Sequence, residues 1–170
     1  MIYENVLEAI GHTPMVRLNR MNKLGNAQIL VKFEGLNVGG SIKTRTAYNM
    51  ITRAEQEGKI GSDTVIVEPE NAAILAGGNI GTHLQMGIGD GIIPDILNQQ
   101  IYDEIYIVSD EEALRTAKDL AKKEGIMCGI SSGTNVAAAL MLAEKLGEGK
   151  TVVTVLPDTA ERYFSTPLFE

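Results

Sequence analysis

Lys43 follows a glycine pair, Gly39-Gly40, and a serine, Ser41, within a single short turn. An apolar run, Ile29, Leu30, Val31 and Phe33, precedes the turn and reads as a short buried strand. The residues after it, Ala47, Met50, Ile51 and Ala54, have the three-and-four spacing of a helix. A strand-to-helix turn of this kind aims unpaired backbone N–H groups and the positive end of a helix dipole at one spot, which suits an anion such as a phosphate. The competing reading is a capped helix with a solvated lysine. The turn alone favours that reading, because it is neither the P-loop nor the dinucleotide fingerprint.

The elements around the turn are legible in order. Val6, Leu7 and Ile10 form an amphipathic turn that Gly11-His12-Thr13-Pro14 breaks, and the residue before the proline is biased to an extended backbone. The helix after the glycine pair is expected over 42–57, with Gly58 at its C-terminal cap. Strands are expected at Thr64–Val67 and Ile105–Val108, separated by a long loop with glycines at 77, 78, 87, 89 and 91. Ser109 and Glu112 have capping-box spacing at the start of a helix with an Ala113, Leu114, Ala117, Leu120 face, which Gly125 ends. The Gly129–Gly133 stretch opens an alanine-rich helix, expected to be well buried. The β-branched run Lys150–Leu156 reads as a strand covered on both faces. Strands alternating with helices indicate an α/β domain with a parallel sheet.

Composition narrows the function. The chain has 170 residues, 44% hydrophobic and 22% charged, enough for one domain with a proper core. A net charge of −7 with no basic stripe argues against a nucleic-acid partner. No apolar run is long enough to span a membrane and no leader pattern opens the sequence, so a cytoplasmic location is expected. Cys128 is the only cysteine, which forbids an intrachain disulfide and fits a reducing compartment. With His12 and His83 far apart, no metal site is expected. Cys128 itself reads as a small buried apolar residue, and His12 as a surface loop residue.

The segment Gly35-Leu36-Asn37-Val38-Gly39-Gly40-Ser41-Ile42-Lys43-Thr44-Arg45 resembles the lysine segment of cysteine synthase (O-acetylserine sulfhydrylase) and its cystathionine β-synthase relatives. Three further blocks resemble the same family in the same order: Ile10–Leu18, Gly87–Pro94 and Gly129–Gly133, followed by the tail Leu156–Thr166. The resemblance implies pyridoxal phosphate as cofactor, an amino-acid substrate, a homodimer, and β-replacement of O-acetylserine with sulfide to give cysteine. It implies Lys43 as the Schiff-base lysine and Ser131 as the partner of the pyridine nitrogen; without it, Ser131 or Ser132 reads as a helix cap. It also implies Asn37, Gly39, Gly40, Ser41 and Gly87 as cofactor-lining residues. Val38 and Thr44 depart from the family's usual proline and aspartate.

Two family segments are absent. After the strand at Thr64–Val67 the family has a Thr-Ser-Gly-Asn-Thr-Gly loop for the substrate carboxylate, whereas Glu68-Pro69 here runs directly into Glu70-Asn71-Ala72. The Gly-Thr-Gly-Gly-Thr turn that seats the cofactor phosphate is missing as well. The expectation is a fusion near 67–72 of two distant family parts, with one strand–turn–helix–strand unit standing in for another. The expected result is a single α/β domain, 1–170. It would be a three-layer, mostly parallel sheet with helices on both faces, a remnant of the two-domain fold type II. Val65–Val67 should then share a sheet with Val152–Leu156. Two functions follow: a cysteine-synthase-like enzyme with impaired turnover, or a non-catalytic scaffold, natural or engineered, that binds cofactor or phosphate weakly at most.

Overall fold

The computed structural model describes residues 2–59, 106, 108–166, 168 and 169. Its contacts divide the chain into two units, Met1–Asn49 with Ile105–Glu170, and Met50–Glu104. The first unit holds the sheet. Strand β1 (Met15–Arg17) pairs antiparallel with β2 (Gln28–Phe33), and β2 pairs parallel with β3 (Thr151–Leu156). The parallel register sets Ile29 opposite Val152 and Phe33 opposite Leu156, so β2 and β3 end side by side. Whatever follows Phe33 therefore lies next to whatever follows Leu156.

The helices are those the periodicity implies. Helix α1 runs from Lys43 to Gln56, and the chain beyond it turns through Gly58 at a positive φ of 67°. Helix α2 (Asp110–Asp119) is capped by the Ser109 hydroxyl, which accepts from the Glu112 amide at 3.1 Å. It passes into a π turn, Leu120–Glu124, closed by Gly125 in the left-handed region. Helix α3 (Ile130–Leu146) packs against β2 and β3, and α2 packs on α3. Gly133 is where those helices touch: a Cβ there would lie 2.0 Å from the Ala113 carbonyl oxygen. The core forms between sheet and helices from Ile29, Val31, Leu120, Val136, Val152 and Leu156.

Several expectations change. Strand β1 was not legible, because its burial pattern has no fully buried residue. Strand β3 is covered on one side only: Val152 and Leu156 are buried, whereas Val153 is 60% exposed. Alternation, not a continuous buried run, is what a half-covered strand shows. Tyr106 and Val108 lie outside any strand. The Thr64–Val67 strand, its pairing with β3, His83, the Gly87–Pro94 block and the junction at 67–72 lie outside the described residues. Helix α1 buries none of its residues, and Met50 and Ile51 are exposed.

Candidate active site at the strand-to-helix turn

Two polar clusters meet where β2 gives way to α1. The first is closed. Phe33 leads into a short 3-10 turn, Glu34–Leu36, and Glu34 is buried. Its carboxylate takes both prongs of the Arg45 guanidinium, Nε to Oε2 at 2.7 Å and Nη2 to Oε1 at 2.8 Å. The Thr13 hydroxyl donates to Oε1 at 2.7 Å, and Asn37 Nδ2 donates to Oε2 at 3.1 Å. Asn37 Oδ1 accepts from the Gly11 amide at 3.0 Å and the Val38 amide at 3.1 Å. Arg45 also donates to the Gly11 carbonyl, and the Lys32 ammonium donates to that of Thr13. The Arg45 fork holds the Glu34 carboxyl below the usual carboxylate range, against the opposing pull of burial. Asn37 thus ties the 10–14 loop to the turn, and the Arg45 guanidinium is committed to Glu34.

The second cluster is open. Gly39 and Gly40 have φ of 80° and 69°, left-handed values that glycine adopts without steric cost. Most of the turn's amides are used by the protein. Gly40 donates to the Asn37 carbonyl, Ile42 to that of Pro157, and Thr44 to that of Ser41. The Lys43 amide donates to the Ser41 hydroxyl at 3.3 Å, so Ser41 caps α1 as its position implied. Among the described residues, the Gly39 and Ser41 amides donate to no protein acceptor.

The tail after β3 closes over these glycines. Ser41 and Asp158 form an antiparallel bridge. A Cβ on Gly40 would stand 3.5 Å from the Thr159 hydroxyl oxygen, 3.7 Å from an Arg162 nitrogen and 4.0 Å from a Glu161 carboxylate oxygen. Arg162 Nη2 donates to the Gly39 carbonyl at 2.7 Å. The Thr159 hydroxyl oxygen is buried and completes no well-aligned hydrogen bond, although it lies close enough to the Glu161 carboxylate to help hold that carboxyl below the usual carboxylate range. A buried hydroxyl left unpaired is costly, so it marks a place where another group belongs.

Lys43 stands in the first turn of α1, exposed and with no ion pair among the described residues. The Gly39 and Ser41 amides, the Thr159 hydroxyl, Lys43 and Arg162 thus belong to one turn and the tail that closes on it, and they are donor and cation types that suit an oxyanion. Glu161, and Asp158 bridged to Ser41, are adverse charges in the same neighbourhood.

Ser131 lies half-buried in the first turn of α3. Neither Ser131 nor Ser132 caps the helix, since Gly129 occupies the cap position and no side chain bonds there. Gly129 is tightly enclosed: a Cβ would meet Asp158 Oδ1 at 2.3 Å and the Tyr163 ring at 2.4 Å. Tyr163 donates its hydroxyl to Asp158 Oδ2 at 2.7 Å, while Oδ1 is buried without a partner. Cys128 is buried, and burial pushes its thiol up to about 12, which makes it a neutral apolar residue. Gly87 lies outside the described residues. Among the described residues, no three His, Cys, Asp or Glu could hold a metal, and no helix is long and apolar enough to cross a membrane.

Thr159 and Arg162 are the site residues that spacing alone did not single out. The signal was available in the parallel pairing of β2 and β3, because residues beyond the carboxyl ends of adjacent parallel strands share one crevice.

Comparison with known proteins follows the same lines. The model of the family described as pyridoxal-phosphate dependent enzyme matches residues 6–67 and again 58–158. The chain is 40% identical over 145 residues to a cysteine synthase of Staphylococcus aureus (strain N315), covering 84% of this chain and 47% of that protein. It is 42% identical over 167 residues to cysteine synthase B of Campylobacter jejuni, covering 98% and 53%. The chain spans about half the length of these curated relatives. Among solved structures, cysteine synthase from Entamoeba histolytica superposes with a TM-score of 0.80 at 24% identity, covering 99% of this chain and 91% of that one. The O-acetylserine dependent cystathionine beta-synthase of Helicobacter pylori gives 0.81 at 21%, covering 100% of each. At such identities these structures establish the fold, an α/β architecture shared with cysteine synthases.

Proposed function

The chain belongs to the pyridoxal-phosphate dependent enzyme family, and from that premise we propose that it is a shortened cysteine-synthase-like protein that retains a reduced cofactor site. In this reading Lys43 would hold the cofactor at its aldehyde end, and the Gly39 and Ser41 amides with the Thr159 hydroxyl would hold its phosphate. Arg162 and Lys43 would balance the charge, and Ser131 would be the partner of the ring nitrogen. Pyridoxal phosphate, when bound, supplies an electron sink at the amino acid it carries. The observation that supports the reading is the buried Thr159 hydroxyl, without a well-aligned partner, beside the positive-φ Gly40 in the turn that leads to Lys43. The two family matches overlap at 58–67, which supports two family parts joined near 67–72 in one α/β domain.

The proposed activity is β-replacement of O-acetylserine with sulfide, at much reduced turnover. The family's substrate-carboxylate loop has no counterpart after Pro69, and loss of a positioning element costs orders of magnitude in rate. A non-catalytic scaffold remains the second reading, favoured by the amides of 40 and 42–44 already having protein acceptors. Incubation with pyridoxal phosphate, borohydride reduction and peptide mass analysis separates the two. The label is expected on Lys43 and is expected to vanish in Lys43→Ala. Labelling that is absent, or scattered over surface lysines, favours the scaffold.

The proposal includes a cytoplasmic location and self-association. Met50, Ile51, Val153 and Phe164 are exposed apolar side chains of a kind that association covers. Sedimentation is expected to show a dimer or larger species, and a monomer at high concentration contradicts it.

A further inference from the structure

We propose that the cavity between α2, the π turn and Leu168 is a binding site for a small carboxylate with an apolar tail, its charge held by Lys118 and Lys122. The cavity measures about 120 Å³, and Ala117, Ala121, Met127 and Leu168 give it apolar walls. An apolar cavity of about 150 Å³ holds a benzene ring in another protein, so this one suits a tail of roughly four to six carbons.

The charge pattern selects the head group. Lys118 and Lys122 both line the cavity. Among the described residues, the acidic neighbours of these lysines on α2 and the π turn are engaged elsewhere. Asp119 accepts from Lys123 at 2.9 Å, and the Glu124 carboxylate accepts from the Asn19, Arg20 and Met21 amides. Neither Lys118 nor Lys122 has an ion pair among the described residues. Lys118 and Lys122 line the cavity largely with their apolar stems, and their terminal charges at its rim complement a single carboxylate. A phosphate keeps too many hydrated oxygens for these walls.

Backbone geometry adds a second observation. The π turn at Leu120–Glu124 widens the helix where Lys122 emerges, and such insertions are frequent at functional sites. Cys128 also lines the cavity, and its neutral thiol makes it a wall and not a nucleophile. The site shares no residue with the Gly39–Ser41 turn, so it stands or falls independently of the cofactor reading.

The test is a titration of the full chain, labelled at methionine methyl groups, with hexanoate, 1-hexanol and hexylammonium, followed by NMR. Hexanoate is expected to shift the Met127 methyl signal and to bind about three- to tenfold more tightly than hexanol, as two partly exposed ion pairs allow. In the Lys118→Gln, Lys122→Gln double variant that preference is expected to disappear while hexanol still shifts Met127, which shows the cavity intact. Ala121→Phe is expected to abolish both responses. Hexanoate that leaves Met127 unmoved, or that binds no tighter than hexanol, overturns the proposal. So does a double variant that keeps the wild-type preference.

Discussion

The Glu34 cluster and the Gly39–Ser41 turn are a few residues apart on one strand–turn–helix unit, yet they end their polar accounting differently. Around Glu34 both carboxylate oxygens, the Asn37 amide and the Arg45 fork meet partners inside the protein. Around Gly40, two amides have no acceptor among the described residues and the Thr159 hydroxyl completes no well-aligned bond. Closed polar networks hold a fold together, whereas leftover donors on constrained backbone are what a ligand uses. The difference separates residues that resemble a cofactor site in type from those still free to act as one. Asn37 belongs to the first group, and Gly39, Ser41 and Thr159 to the second.

The sharpest way to break the comparison is to open the closed cluster. Arg45→Ala leaves the Glu34 carboxylate buried and unpaired, and is expected to cost about 3 kcal/mol in urea unfolding, the low end for such pairs because Arg45 is partly exposed. An unchanged midpoint would remove Glu34 from the structural group. The pH dependence tests the same cluster. Because Arg45 depresses the folded-state pKa of Glu34, its stabilisation is present above the unfolded value near about 4.3 and is lost as pH falls through the lower folded value. Glu34→Gln should flatten that acid limb, and an unaltered limb contradicts the assignment. A smaller effect is expected in the open cluster, where Gly40→Ala forces a side chain to φ of 69° and should cost roughly 1–2 kcal/mol. A neutral result there would mean the turn relaxes freely and presents no fixed donors.

Much of the fold was legible because its signals are local. The apolar run at Ile29–Phe33, the Ser109–Glu112 cap and Gly125 each act within a few residues, and each stands where the pattern put it. What was not legible depends on partners distant in sequence. The Val16–Val31 pairing made a strand of a stretch with no alternation, and the open side of β3 left Val153 in solvent. The candidate site divides the same way. Lys43, the glycine pair and Ser41 carry their chemistry in type and spacing. Arg45 and Asn37 were spent on Glu34, and Thr159 and Arg162 arrive from more than a hundred residues away through the β2–β3 register.

One substitution addresses the account most directly. Thr159→Val keeps the shape of the side chain and removes only the hydroxyl that the fold leaves unpaired. Titrated with pyridoxal phosphate and followed by the cofactor's fluorescence, the variant is expected to fold at least as stably as the parent and to bind roughly tenfold more weakly, the worth of one hydrogen bond to a charged group. Equal affinity in the two proteins would mean that the turn no longer holds the phosphate.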